Sequence, residues 1–527
     1  MSLKLIEQQI NKLGDGEGII RTLMNELFIN ADNIKNDIFI IYVILPEILI
    51  GFSVIFIIIE TAKLYNLNIM KKLLKIFESV LIIIIFLLGL NLILYDNEIY
   101  LFNNSYIINI YTQMCKLLSI LILYCILRMG KGMFITNNYT ESIILYNICS
   151  LFGLLMISIT HVGILILALE GFSLSLYILS ASNKLQGGIM ASVKYFTFGT
   201  LGSMIMLFGV SQIYYETGSF LYEDIWKDYN NSEIYMQIVL IIIGFIIKLG
   251  AAPFHVWIPS VYSGIDTINT AFFAVYVKFI LIIVFINFSL NLNLGLLIDI
   301  SAILSIIIGT VLALRQLEIK RFIAYSAITH TGFILLGDFI SMWIYILTYI
   351  LSILLFFSVI LSKSLYNNEL VYFNDIRHYK KDIGIGNMLI LSIALMSMAG
   401  LPPTAGFYGK LMIMSSLIEE IYITNNIIII FILCIIMIIT LLTIFYYMRL
   451  YSYIYICNEE SKVIFNEYNS ISHIENIKIY NIQVILILSI LLWSIIDHEM
   501  VLYGINISIF FIKECKLYSR NIVDCVN

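Results

Sequence analysis

The chain has 527 residues, of which 61% are hydrophobic and 12% charged, with a formal net charge of −5 and a mean hydropathy of +0.96. A soluble domain averages about 45–50% apolar and about 25% charged residues, which excludes a soluble enzyme and leaves an all-α polytopic membrane protein. The negative balance gives no reason to expect nucleic acid as a partner.

Residues 1–37 mix Glu7, Asp15 and Glu17 with Lys4, Lys12 and Arg21. A cleavable mitochondrial presequence would be poor in acids, so this stretch reads as a retained polar extension. Apolar runs long enough to cross a bilayer follow near 38–59, 79–95, 112–133, 143–160, 162–182, 188–213, 235–259, 265–287, 293–314, 322–337, 340–362, 385–418, 426–450 and 480–510, about fourteen spans. If these runs alternate, one face receives Lys63, Lys71, Lys72, Lys75, Arg128, Lys131, Lys184, Arg315, Lys320, Arg321, Lys363, Arg377, Lys380, Lys381, Arg449, Lys462 and Lys478, whereas the internal loops of the other receive only Lys116 and Lys227. By the positive-inside rule the first face is the inner one, and both tails lie outside.

Charged residues inside the spans are few. Glu47 follows Pro46 at the start of the first span and reads as the simple opening of a helix. Glu170 lies in LALEGFSLSLYIL with Ser173 and Tyr177 on its helical face; as an isolated acid it is a candidate for capping a helix N-terminus near the interface. Lys194, Lys248, Lys278 and Lys410 each sit inside a span, where any one alone is a candidate for snorkelling to the headgroups. Four together point instead to a charge pathway, with Glu170 as the natural partner. A lysine at mid-membrane costs at least about 2.5–3.5 kcal/mol.

Two spans are interrupted. In IIIGFIIKLGAAPFHVWIPSV, Pro253 follows Lys248 by five residues and breaks the helix around residues 249–250. In IALMSMAGLPPTAGFYGKLMI, Pro402 and Pro403 break the twelfth span. Broken helices at membrane depth occur only where they pack in protein or line a wet cavity. Two of them five helices apart, in the seventh and twelfth spans, are the signature of two inverted five-helix repeats, spans 4–8 and 9–13. The chain then divides into the extension (1–37), three leading spans (38–142), a first repeat (143–290), a second repeat (291–452) and a terminal segment (453–527). The symmetry is imperfect, because Lys248 precedes its break and Lys410 follows its own. In the tenth span Ser326 and His330 share a face; His330 reads either as a packing residue or as part of the pathway.

The seven cysteines are scattered without a C-x-x-C pair and the six histidines lie far apart. No metal, Fe–S or haem site is expected in this chain. Heavy use of Ile, Asn, Tyr, Lys and Phe, residues with AT-rich codons, hints at an organellar genome.

Several stretches, in order, resemble chain 2 of respiratory complex I (NADH–ubiquinone oxidoreductase), one of its antiporter-like membrane subunits. They are LPE at 45–47, LEGFSLSLYIL at 169–179, KYFTFGTLGSMIMLFGVSQIYYETGS at 194–219, KLGAAPFHVWIPSVYSG at 248–264, LEIKRFIAYSAITHTGFILLG at 317–337 and AGLPPTAGFYGK at 399–410. The block at 194–219, and a lysine rather than a glutamate at 410, look like chain 2 rather than its sister chains 4 and 5. The resemblance runs from about 38 to 452; the extension and the loop at 452–478 depart from the family outline.

The resemblance implies a proton-translocating subunit whose relay consists of Glu170, Lys194, Lys248, Lys278, His330 and Lys410. It also implies that NADH, FMN, Fe–S clusters and ubiquinone belong to other subunits, with no cofactor here. The implied partners are other membrane-arm subunits, including sister antiporter-like chains, and lipids such as cardiolipin. The implied location is the mitochondrial inner membrane, with both termini on the intermembrane-space side. Protons would enter near Lys248–Lys278 and leave near Lys410. Burial penalises the charged form of such groups and a nearby carboxylate restores it, so Glu170 can govern when Lys248 releases a proton. Two rivals remain: a stand-alone cation/proton antiporter, distinguished by transport activity as a monomer, and a purely structural subunit, distinguished by normal pumping after all four lysines are neutralised.

Overall fold

The computed structural model describes residues 43–61, 67–94, 98–137, 140–182, 186–228, 234–289, 295–364, 371–373, 375, 380–424 and 427–455. The expected extension at 1–37 and the fourteenth span at 480–510 lie outside the described residues. The described part is a helical bundle. In chain order it comprises α1 (Val43–Thr61), α2 (Leu67–Leu94), a hairpin of β1 (Ile99–Leu101) and β2 (Tyr106–Ile108), α3 (Ile110–Asn137), α4 (Thr140–Ser158), α5 (Val162–Ala181) and α6 (Gln186–Thr217). There follow α7 (Tyr222–Asp228), α8 (Tyr235–Leu249), α9 (Trp257–Gly264), α10 (Thr267–Ser289), α11 (Gly295–Ala313), α12 (Ile319–Leu336), α13 (Phe339–Ser364), α14 (Lys380–Ala399), α15 (Ala405–Thr424) and α16 (Ile427–Tyr455).

Among the described residues ten helices are long and apolar enough to cross a membrane. The other expected spans between 38 and 450 are the two interrupted ones and α12, which carries Lys320, Arg321 and His330. The second span differs from its sequence reading. Its helix starts at Leu67, so Lys71, Lys72 and Lys75 ride on its first turns instead of in a loop.

The bundle is layered by enclosure. In α10 94% of the apolar stretch is buried and in α13 89%, against 28% in α16 and 33% in α1. A helix apolar all round is either buried or lipid-facing, and here both kinds occur. α10 and α13 form the central layer, on which the candidate charges converge. α10 also contains a π-helical turn, Phe273–Val277, immediately before Lys278. Such turns are rare and appear mostly as local bulges, often at functional sites.

Both interruptions are built the same way. α8 ends at Leu249, and Gly250 takes the left-handed conformation at φ 68°. The Gly250 N–H donates to the Ile247 carbonyl and the Ala251 N–H to Ile246. α14 ends at Ala399, Gly400 has φ 79°, and the Gly400 and Leu401 N–H groups donate to Ser397 and Met396. This double bond pattern with a left-handed glycine satisfies carbonyls that a helix end otherwise leaves open. Pro253 and Pro403 each lie three residues past the glycine, so they prevent resumption rather than cause termination.

Candidate functional site

Of the expected charges only Lys278 lies on a helix of the central layer; Glu170, Lys248, His330 and Lys410 lie on α5, α8, α12 and α15 around it. Glu170 lies mid-way along α5, not in its first turn, where the His161 side chain accepts from the Ile164 N–H as cap. The capping reading of Glu170 is thereby set aside. Its carboxylate faces Lys248 in the last turn of α8, at 3.5 Å. The side chains are 29% and 6% exposed, so the acid is partly open while the base is enclosed. Ser173, Tyr177, Tyr195, Trp257 and Leu281 line the cavity into which Lys248 projects. Leu281 lies one turn beyond Lys278 on α10, which brings the two lysines into neighbouring layers of one structure.

Lys278 is buried and donates to the Ala327 carbonyl of α12 at 2.7 Å. Its ammonium also lies 6.0 Å from the centre of the Tyr349 ring. That same ring sits 4.9 Å from the imidazole of His330. His330 is held at both nitrogens, Nδ1 by the Tyr345 hydroxyl at 2.8 Å and Nε2 by the Tyr447 hydroxyl at 3.1 Å. A neutral imidazole donates at one nitrogen and accepts at the other, so each tyrosine has a defined complementary role.

Beyond His330 a cavity lined by Tyr345, Thr348, Ser352, Ser397 and Lys410 continues to the second break. Lys410 belongs to α15, but its ammonium reaches back to the Ala399 carbonyl, the last of α14, at 2.6 Å. It donates also to Thr443 Oγ1 at 2.9 Å and lies 5.4 Å from the Phe333 ring centre. A cation at a helix C-terminus is favoured by the open carbonyls and the macrodipole. The asymmetry read in the sequence is therefore one of chain order only. In the second break the ammonium is delivered to the end of the first half-helix from the half-helix that follows.

Lys194 is not brought to this row. It lies on the exposed face of α6, among exposed Met190, Val193 and Phe196. Two readings of the leading spans are corrected. Glu47 is no mere helix opening: it is buried and accepts from Lys116 at 2.6 Å and from the Tyr106 hydroxyl at 2.9 Å. Lys116 is not a loop residue, because α3 starts at Ile110 and the hairpin folds over its second turn. Desolvation, reinforced by the Glu47 carboxylate, pushes the Tyr106 phenol up to about 12, so it remains a proton donor at neutral pH. Glu78 was also overlooked as a buried acid; it pairs with Lys131 at 3.1 Å and Arg128 at 3.9 Å. Sequence reasoning missed Tyr345, Tyr349, Tyr447 and Thr443 as well. Their only signal is a hydroxyl within an apolar helix, which is common.

A family model described as NADH:quinone oxidoreductase/Mrp antiporter, TM matches residues 159–440, more than half of the chain. The chain belongs to this family. The matched window holds Glu170, Lys248, Lys278, His330 and Lys410 and leaves Glu47 and Lys116 outside it. Subunit N of the NADH-quinone oxidoreductase of Pelagibacter ubique is 32% identical over 408 residues, covering 72% of this chain and 83% of the relative. Subunit N 2 of the enzyme of Thermodesulfovibrio yellowstonii is 38% identical over 292 residues, covering 52% of this chain and 62% of the relative. NADH-ubiquinone oxidoreductase chain 2 of Marchantia polymorpha is 34% identical over 331 residues, 58% of this chain and 67% of the relative. A chain in the structure of respiratory complex I from Thermus thermophilus with bound aureothin has a TM-score of 0.69 at 23% identity, covering 85% of this chain and 97% of that one. The resemblance to antiporter-like complex I subunits read in the sequence is thus borne out at the level of the family and its fold.

Proposed function

We propose that the chain translocates protons as a membrane-arm subunit of a mitochondrial NADH–ubiquinone oxidoreductase. The path runs through Glu170–Lys248, Lys278, His330 and Lys410. The observation that carries this reading is the continuity of the row: Lys278 and His330 share the Tyr349 ring, and His330 and Lys410 share one cavity. Each lysine holds its ammonium on an oxygen acceptor, so each is a defined station rather than a stray charge.

Protons are taken up from the inner side near Lys248–Lys278 and released to the outer side near Lys410, with both termini on the intermembrane-space side. Separation of Glu170 from Lys248 removes the carboxylate that favours the ammonium, and the proton moves on. Moving one charge against the membrane potential costs about 2.3 kcal/mol per 100 mV, a load that switching a buried ion pair can meet. NADH, FMN, Fe–S clusters and ubiquinone belong to the other subunits, which do the redox chemistry. Cardiolipin is the lipid expected at the apolar outer faces. Lys194, by its place on an exposed face of α6, acts at a boundary with a neighbouring subunit or lipid rather than within the row.

The test is Lys248→Met in the assembled complex, reconstituted in vesicles, with proton uptake measured per NADH oxidised. The expected result is a loss of about tenfold in coupled pumping with the complex still assembled. Unchanged pumping would remove Lys248 from the path.

A further inference from the structure

The Glu47–Lys116–Tyr106 cluster lies outside the row just described and has no part in it. Tyr106 donates to Glu47 Oε1 and accepts from Lys116 Nζ at 3.0 Å, so these three groups satisfy one another on one side. The second carboxylate oxygen, Glu47 Oε2, is buried without a hydrogen-bond partner among the described residues.

A small space lies near this cluster, walled by the cluster's own three elements and by α2. It is lined by Val43, four residues before Glu47 on α1, and by Gln113, three before Lys116 on α3. Ile108, two after Tyr106 on β2, adds a third wall, and Asn91 near the end of α2 a fourth. Residues at these spacings share a helix face or a strand face, so the space lies about one helical turn from the cluster on the same faces. It lies on the hairpin side, because α1 and α3 begin there and α2 ends there.

Asn91 and Gln113 are 2% and 4% exposed, and among the described residues both heteroatoms of each amide lack a partner. Buried polar groups are nearly always satisfied by protein or by ordered water. Two carboxamides offer donors and acceptors together, which is the set a bridging water needs, and the space is about the size of one water. An apolar occupant would leave all four heteroatoms unpaired.

We infer that this space is a hydrated antechamber: Asn91 and Gln113 hold water that links the Glu47–Lys116 pair to the hairpin side of the membrane, and Glu47 exchanges protons with that side through it. In uptake, a hydronium gives its proton to Glu47 Oε2 and remains as water; in release, the carboxyl returns it to the same water. No electrons move and no other bond changes. The exchange role rests on the proposed proton transport; the hydration does not.

The test uses the assembled complex in membrane vesicles of both orientations, with silver ion as a water-sized thiol probe. Asn91→Cys and Gln113→Cys are compared with Leu88→Cys, a fully enclosed position on α2. Protection from later alkylation is measured, with the unsubstituted chain giving the background of native cysteines. The expected result is protection at least tenfold faster than at Leu88→Cys, and only from the hairpin side. Rates equal to Leu88→Cys, or faster from the opposite side, overturn the hydration. Should neither variant assemble, a density map of the native complex that resolves waters decides, and an unbridged Asn91–Gln113 pair overturns it. For the role, Glu47→Gln is expected to lower pumping per NADH at least threefold, and unchanged pumping overturns the exchange. Silver protection alongside normal pumping by Lys248→Met would sink the midplane path and leave the hydrated site standing.

Discussion

The two broken helices share a backbone and differ in how they hold a lysine. At the first break, Lys248 is carried by the half-helix that ends there and faces a carboxylate, Glu170, from another helix. At the second, Lys410 comes from the following half-helix and rests on a carbonyl and a hydroxyl, Ala399 and Thr443. The same glycine-terminated end therefore serves two electrostatic designs. One depends on a partner that can itself change charge or move. The other rests on neutral dipoles, so on the proposed path the first is the better placed to act as a switch.

Replacing lysine by arginine separates the two most sharply. A guanidinium is planar, always charged and suited to bidentate pairing with a carboxylate, whereas an ammonium is compact. Lys410→Arg is expected to abolish pumping about as fully as a neutral residue, at least tenfold, because among the described residues no carboxylate pairs with it and the Gly400 backbone lies against the lysine stem. Lys248→Arg keeps its ion pair with Glu170 and is expected to preserve complex assembly while losing proton release. Pumping retained by Lys410→Arg, or failure of Lys248→Arg to assemble, would break the contrast. Next in size is Glu170→Gln, which removes the charge but keeps the shape. The acid is partly exposed, which screens part of its effect, so a two- to fivefold fall in pumping is expected. A loss as large as that of Lys248→Met would mean that Glu170 does more than pair. The smallest effect belongs to Thr443→Val. It deletes one of two acceptors for the Lys410 ammonium while Ala399 remains, and should destabilise that site by about 0.5 kcal/mol, read as less than a threefold change in turnover. No change at all would assign the anchoring to Ala399 alone.

Much of this was legible in the chain. Lys248, Lys278 and Lys410 stand out because a charge inside an apolar run has few uses, and both breaks are marked by Gly and Pro. The mechanism of the break was not, since the prolines draw the eye while the glycines end the helices. Nor was the pairing of Glu47 with Lys116, which lie 69 positions apart, near the ends of their runs. Hydropathy places a residue along a helix but says little about which side it faces when all sides are apolar. Lys194 reads like its neighbours for that reason, and the structure sets it on an outer face. The tyrosines around His330 escape notice because contacts across 15 and 117 positions leave no periodic trace.

The junction of α14 and α15 carries one more implication. A β-carbon added at Gly406 would come within 1.8 Å of the Ser397 carbonyl oxygen, so the two segments meet backbone to backbone with no side chain between them. Such a contact leaves little slack for one segment to slide along the other. On the proposed path, proton hand-over at Lys410 then calls for rotation of its own side chain rather than displacement of a whole rod.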